Sequence, residues 1–254
     1  MARFHVFLGA VALVAATLSA PQAQNILDAS PGTKVKGVVT VGNKQLPLPE
    51  GEWELVFAET NRQGSYAGLP MARANAALVQ NAGGTAKAYI VVGTNVDVGG
   101  KGWRRPALCD RDNVLHNDSD SNYNRDDADC WIVNHNPFGR RKARWAFFDK
   151  VRKYVLKTAG TSTLILNWYW RNDASDYFRV AYYANPAAYG LPRESFQRWP
   201  ESDWHAEVID ESPQRKKFVE AARAFGAKYR EAVRAGFRNR LGGGVSGLKF
   251  EFSE

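Results

Sequence analysis

The amino-acid sequence predicts an α+β fold: an antiparallel sheet of hairpins with two main helices packed on one side. Three observations carry that expectation. Aromatic and β-branched runs recur in pairs separated by turn residues, the pattern of neighbouring antiparallel strands. The segments 143–157 and 213–240 instead space their apolar residues at helical intervals. The strand runs are joined mainly by tight turns rather than by the crossovers that parallel sheets need.

Residues 35–60 read as β-structure. KVKGVVTV and KQLPLP flank the two-residue turn signal Gly42-Asn43, and EWELVFAET follows Pro49-Glu50-Gly51. A second hairpin is expected over 72–96, with ARANAALVQ and TAKAYIVVGTNV on either side of Asn81-Ala82-Gly83-Gly84. The alanine-rich first arm also fits a helix. WIVNH (131–135) reads as a short strand. From Ala143 to Lys157, Phe147, Phe148, Val151, Tyr154 and Val155 fall at helical spacing. TLILNWYWRN and YFRVAYYANP enclose Asp173-Ala174-Ser175-Asp176 and form an aromatic hairpin. The long helix over 213–240 aligns Phe218, Ala222, Phe225, Tyr229 and Val233 on one face and stops at Gly242-Gly243-Gly244. LKFEF is expected to add a last short strand. With no internal repeat and no Pro- or Ser-rich linker, residues 24–254 read as one domain.

Residues 1–23 have the layout of a secretory signal peptide: Arg3, the apolar run Val6 to Ala20, then SAPQAQ, with cleavage expected after Ala23. That run is shorter than the roughly 20 residues that span a bilayer, and no later stretch is long and apolar enough to do so. The protein is therefore expected to be exported, most simply to the periplasm. A composition of 44% hydrophobic and 12% aromatic residues excludes a disordered chain. In an exported chain, the only two cysteines, Cys109 and Cys130, read as a disulfide. Closing a loop of this size stabilises a fold by about 3 kcal/mol.

The cysteines bracket seven aspartates, four asparagines and two arginines in a chain whose net charge is +8. Within this stretch, Asp118, Asp120, Asn122, Asn124, Asp126 and Asp129 follow the register of a curled calcium loop, which aims alternate oxygens at one ion. The match departs at two places: Tyr123 stands where such loops turn on glycine, and Asp129 replaces a longer Glu. The competing reading is a solvated acidic loop that caps turns and pairs with basic neighbours.

His116, His135 and His205, with Asp129, are the residues from which a hydrolase site would be built, and His116 and His135 with nearby aspartates those for a zinc site. No H-x-x-x-H or H-E-x-x-H spacing supports zinc, and no G-x-S-x-G elbow supports a serine nucleophile. Two basic patches stand against the acidic stretch. Residues 140–157 hold eight Lys or Arg against Asp149, and 215–240 hold nine against Glu220 and Glu231. For an exported protein these exclude nucleic acid as the natural partner and point to anionic lipid or acidic glycan, or simply to solvated helix faces. On the aromatic hairpin, Trp168 and Trp170 are the candidate sugar-stacking rings, with core packing as the alternative.

The stretches Cys109-Asp110, Asp129-Cys130-Trp131-Ile132-Val133-Asn134-His135, Tyr182-Tyr183-Ala184-Asn185-Pro186 and Ser202-Asp203-Trp204-His205 together resemble exported bacterial proteins carrying a C…DCWxVNH segment. The resemblance runs from about Glu52 to Phe237 and implies no assigned activity, so it carries over no site residue. The function expected from the sequence is a non-catalytic binding or structural protein of the cell envelope. Calcium in the acidic loop, a glycan-binding hairpin and a carboxylate/histidine hydrolase are the further readings.

Overall fold

Side chains alternate across a strand, so a strand that is apolar at every position must be covered on both sides. That property organises this protein. The computed structural model describes residues 23–66, 69–96, 103, 105–122, 127–138, 145–194, 198–242 and 245–253. The expected signal peptide thus lies outside the described residues, apart from Ala23 at its end.

Four short strands come first: β1 (Gln24–Asn25), β2 (Lys34–Val35), β3 (Val38–Val41) and β4 (Lys44–Pro47). Three long ones follow, β5 (Trp53–Tyr66), β6 (Leu69–Ala82) and β7 (Thr85–Asn95). Then come β8 (His116–Asn122), β9 (Asp127–Pro137), helix α1 (Ala146–Thr158), β10 (Thr163–Asn172), β11 (Tyr177–Ala184) and helix α2 (Pro213–Phe237). The main sheet has the order β2-β5-β6-β7-β11-β10-β9-β8, and its neighbouring strands run antiparallel. It consists of two meanders, β5–β7 and β8–β11, joined where β11 docks beside β7. The chain leaving β7 must therefore cross the width of the second meander to reach β8 at the far edge. Cys109 sits on that crossing and is bonded to Cys130 of β9, with both residues buried and their Cα atoms 5.7 Å apart. A small sheet of β1, β3 and β4, with β1 parallel to β3, packs into the same core as α2.

The α+β class and the hairpin sheet are as the sequence predicts, but the helices do not share a side. Ala74, Ala76 and Leu78 of β6 pack with Phe218, Ala222 and Phe225 of α2. The alternate residues Ala77 and Val79 pack with Phe147, Val151 and Val155 of α1. The helices thus cover opposite faces. In β7, Tyr89, Ile90, Val91 and Val92 are all buried, so neither face tolerates water.

Smaller differences have local causes. The alanine-rich arm is strand, because β6 has β5 and β7 to pair with on either side. WIVNH is the middle of the 11-residue β9. The long helix ends at Phe237, before the glycines. LKFEF adds no strand: Leu248 gives its carbonyl to the Glu50 amide, while Leu248 and Phe250 fill the core under α2.

α2 begins on a cap, since the Ser212 side chain accepts from the Arg215 amide and Pro213 occupies the first turn. It then lies so close to the sheet that Gly226 is required. A Cβ there would fall 2.1 Å from Asn167 Oδ1 and 2.5 Å from the Trp131 ring. The Tyr169 hydroxyl donates to the Gly226 carbonyl at 3.1 Å, which fixes the helix at that height. Glycine to alanine in a helix normally stabilises by about 1 kcal/mol. Here Gly226→Ala is expected to destabilise by about 2 kcal/mol through overpacking, measured as a lower urea midpoint. A stabilised variant would refute this account of the helix seat.

Candidate functional site

Between the cysteines the chain forms a hairpin, β8–β9, instead of the curled loop expected there. Its register sets Asp118 opposite Trp131, Asp120 opposite Asp129, and Asn122 opposite Asp127. Trp131 packs beneath α2, so this row of acids faces the helix. One helical turn separates Arg230 from Arg234, and both reach across. Arg230 donates to Asp118 at 2.7 Å and to Asp129 at 3.0 Å; Arg234 donates to the other Asp129 oxygen at 2.6 Å. Arg171 of β10 pairs with Asp127. The acidic stretch is thereby an internal counter-charge for α2.

A cleft of about 680 Å³ opens beside this clamp, lined by Asp120, Asp127, Arg171, Arg234, Arg238 and Arg240 among others. Of the six residues in calcium register, Asp118 and Asp129 are held by arginines, Asp120 lines the cleft, and Asn122 ends β8. Asn124 and Asp126 lie outside the described residues. A calcium ion would have to compete with Arg230 and Arg234 for its ligands. Among the described residues no group of three or more His, Cys, Asp or Glu is arranged to hold a metal.

The hydrolase candidates are only partly brought together. His135 and His205 meet, with ring centroids 5.8 Å apart, around Trp199, which stacks on His135 at 5.0 Å. His135 Nε2 bonds the Trp199 carbonyl at 2.9 Å, while its Nδ1 is buried without a partner. His116 instead lies against Trp131 at 4.4 Å, and Asp129 belongs to the arginine clamp. No carboxylate orients His135 for proton transfer among the described residues. Burial pushes its pKa down to about 4, with the Trp199 carbonyl opposing the shift and His205 adding to it. Burial, with Arg223 beside it, also lowers His116.

The candidate sugar-stacking rings are packed together. Trp168 is 8% exposed. Trp170 is half-buried, stacked between Trp168 at 6.0 Å and Tyr177 at 5.1 Å, with interplanar angles of 20° and 17°. Their faces are already occupied by one another. The exposed ring on this side of the sheet is Trp145, at the start of α1, 51% accessible.

Near it the sheet carries residues that sequence reasoning missed. Asn75, Gly93, Arg179 and Trp170 form one cross-strand row over β6, β7, β11 and β10. Arg73 stands two residues before Asn75, on the same face. Gly93 leaves room for the Arg179 guanidinium, which would lie 2.8 Å from a Cβ at that position. Arg179 lies over the Phe148 ring at 4.7 Å and Arg73 over Trp103 at 5.5 Å and Trp145 at 5.9 Å. The available signal was an arginine at an inward position of each apolar strand, in ARANAALVQ and YFRVAYYA.

Two expectations follow from these geometries. Asp129→Asn leaves Arg230 buried beside a weakened partner and is expected to cost about 2 kcal/mol of stability. Asp120→Asn, at an exposed position, should stay within about 0.5 kcal/mol; equal effects in urea titrations would contradict the clamp. His135 is neutral in the folded state, and its unfolded pKa is 6.5 against about 4 when folded. The unfolded chain therefore takes up the proton first, so this stabilisation is complete above pH 6.5 and is lost as the pH falls toward 4. Between pH 7 and 4 the wild type should lose about 3 kcal/mol more than His135→Gln. Parallel pH curves for the two proteins would rule this out.

Compared with known proteins, the chain matches no family model, no curated protein and no solved structure.

Proposed function

We propose that the protein is an exported, non-catalytic binding protein of the cell envelope whose partner is anionic. The observation carrying this reading is a set of exposed cations along α2 and just past its C-terminal end that form no ion pair among the described residues. Lys217, Arg223 and Lys228 on α2, and Arg238 and Arg240 beyond its end at the rim of the cleft, are exposed and have no carboxylate ion-pair partner among the described residues. Asp118 and Asp129 of the acidic stretch are spent on Arg230 and Arg234 within the fold. A long cationic face with its counter-charge turned inward attracts polyanions, and the attraction weakens with salt. The expected export signal and the disulfide support an envelope location, where anionic lipid and acidic glycan are the available polyanions. The non-catalytic part rests on the dispersal of His116, Asp129 and the His135–His205 pair into separate structural roles.

The test is sedimentation with phosphatidylglycerol vesicles and retention on a dextran sulfate matrix, each against a neutral counterpart. Binding to at least one anionic support is expected, falling steeply between about 50 and 300 mM salt. The triple variant Lys217→Glu, Arg223→Glu, Lys228→Glu should lose it by at least about tenfold, since each reversal removes an attraction and adds a repulsion. Equal binding to neutral supports, or an unaffected triple variant, would defeat the proposal.

A further inference from the structure

On the sheet face opposite α2, Arg73 and Arg179 lie close together, and among the described residues no carboxylate forms an ion pair with either. Burial lowers the pKa of Arg179; Tyr177 and Tyr183 oppose that shift, and Arg73 adds to it. Arg179 has a single long hydrogen bond, to Asn75 Oδ1 at 3.4 Å. Arg73 has none among the described residues, and its Nε is buried without a partner. Cation–π contacts to Phe148, Trp103 and Trp145 hold both guanidiniums in place but leave most of their N–H donors without a partner among the described residues. Partly buried cations normally carry a counter-charge, because desolvation without one is costly.

The surroundings favour a ring. Trp103 is fixed by its indole N–H to the Ser175 carbonyl at 3.1 Å and by its own carbonyl, which accepts from Asn172 at 2.8 Å. Trp145, by contrast, is half open to solvent and overhangs Arg73. A forked guanidinium matches a carboxylate in two-point geometry, and an indole face suits the apolar side of a sugar ring.

We propose that Arg73 and Arg179 form a binding site for the carboxylate of an acidic saccharide, whose ring rests on Trp145. The site is independent of the α2 face, which lies on the other side of the sheet.

The probe is tri-galacturonate, followed by calorimetry on the full folded protein, with an uncharged trisaccharide, benzoate and inorganic sulfate as comparisons. Saturable binding of tri-galacturonate is expected, weakened at least tenfold in Arg73→Gln and in Arg179→Gln. Trp145→Ala should weaken it several-fold with an unchanged melting temperature. Ligand-free Arg73→Gln should melt higher than wild type, because one of two like charges is gone, which separates loss of the site from loss of the fold. The α2 triple variant should bind tri-galacturonate as the wild type does; if it alone fails, binding belongs to the outer cationic face and the site is refuted. The proposal also fails if tri-galacturonate does not bind at millimolar concentration or if both arginine variants still bind it. Equal binding of the neutral sugar, or of benzoate or sulfate in place of the saccharide, overturns it as well.

Discussion

A sheet that is apolar on both faces cannot exist in water without two covers, and that constraint underlies the rest of the molecule. β6, β7, β10 and β11 present buried residues at consecutive positions. Burial at about 25 cal/mol per Å² makes leaving either side open more costly than any single polar contact can offset. α2, at 25 residues, spans one face, and its small residues let it lie close. α1, at 13 residues, covers only part of the other. The remainder of that second face is where the stacked tryptophans, Tyr177 and the two arginines without an ion-pair partner among the described residues lie. Incomplete cover and candidate site therefore share one cause.

The same geometry explains why the outermost hairpin needs fastening. β8 is an edge strand of polar residues, HNDSDSN, with little apolar surface to hold it down. It is secured from both sides through β9. On the α1 side, Cys130 is bonded to the incoming chain at Cys109, a link of about 3 kcal/mol in the chain-entropy account. On the α2 side, Asp129 is gripped by Arg230 and Arg234. Adjacent residues of a strand point to opposite faces, so Asp129 and Cys130 can serve the two fastenings from one position in sequence.

What was legible in the sequence follows from the range of each signal. Strand pairs joined by Gly42-Asn43 or by the Asp173–Asp176 turn announce themselves locally, as do the helical stripe of α2 and the cysteine pair. The side each helix takes depends on which strands lie at the centre of the sheet, a long-range fact; β7 beside β11 could not be read from either segment. The acidic stretch shows the limit most plainly. Alternation of Asp118, Asp120 and Asn122 is common to a curled ion loop and to one face of a strand, and only the partner decides between them. Here the partner is an arginine pair about 100 residues away in sequence. Arg73 and Arg179 give no signal in the sequence because each is a lone charge in an apolar run, and their proximity exists only after β6, β7 and β11 align.

How this protein treats its other buried charges gives that proximity its meaning. Lys44, nearly inaccessible, pairs with Asp176 at 2.8 Å, and Asn95 supports the same carboxylate at 2.7 Å. Burial by itself raises the pKa of Asp176, but the bonds from Lys44 and Asn95 prevail and hold it below the usual carboxylate value. Asp149 on α1 is bound by Arg152 and Lys153, each at 3.1 Å. Arg230 has two aspartates. Each of these charges is offset by an opposite one, as the desolvation penalty demands. Arg73 and Arg179 are held to a different standard: fixed in position by aromatic rings, set close to one another, and given no ion-paired acid among the described residues. Selection for stability alone would replace one of them with an apolar residue, since two like charges on a half-covered face oppose folding. Their placement beside an exposed indole is what a site looks like when its missing charge arrives with the ligand.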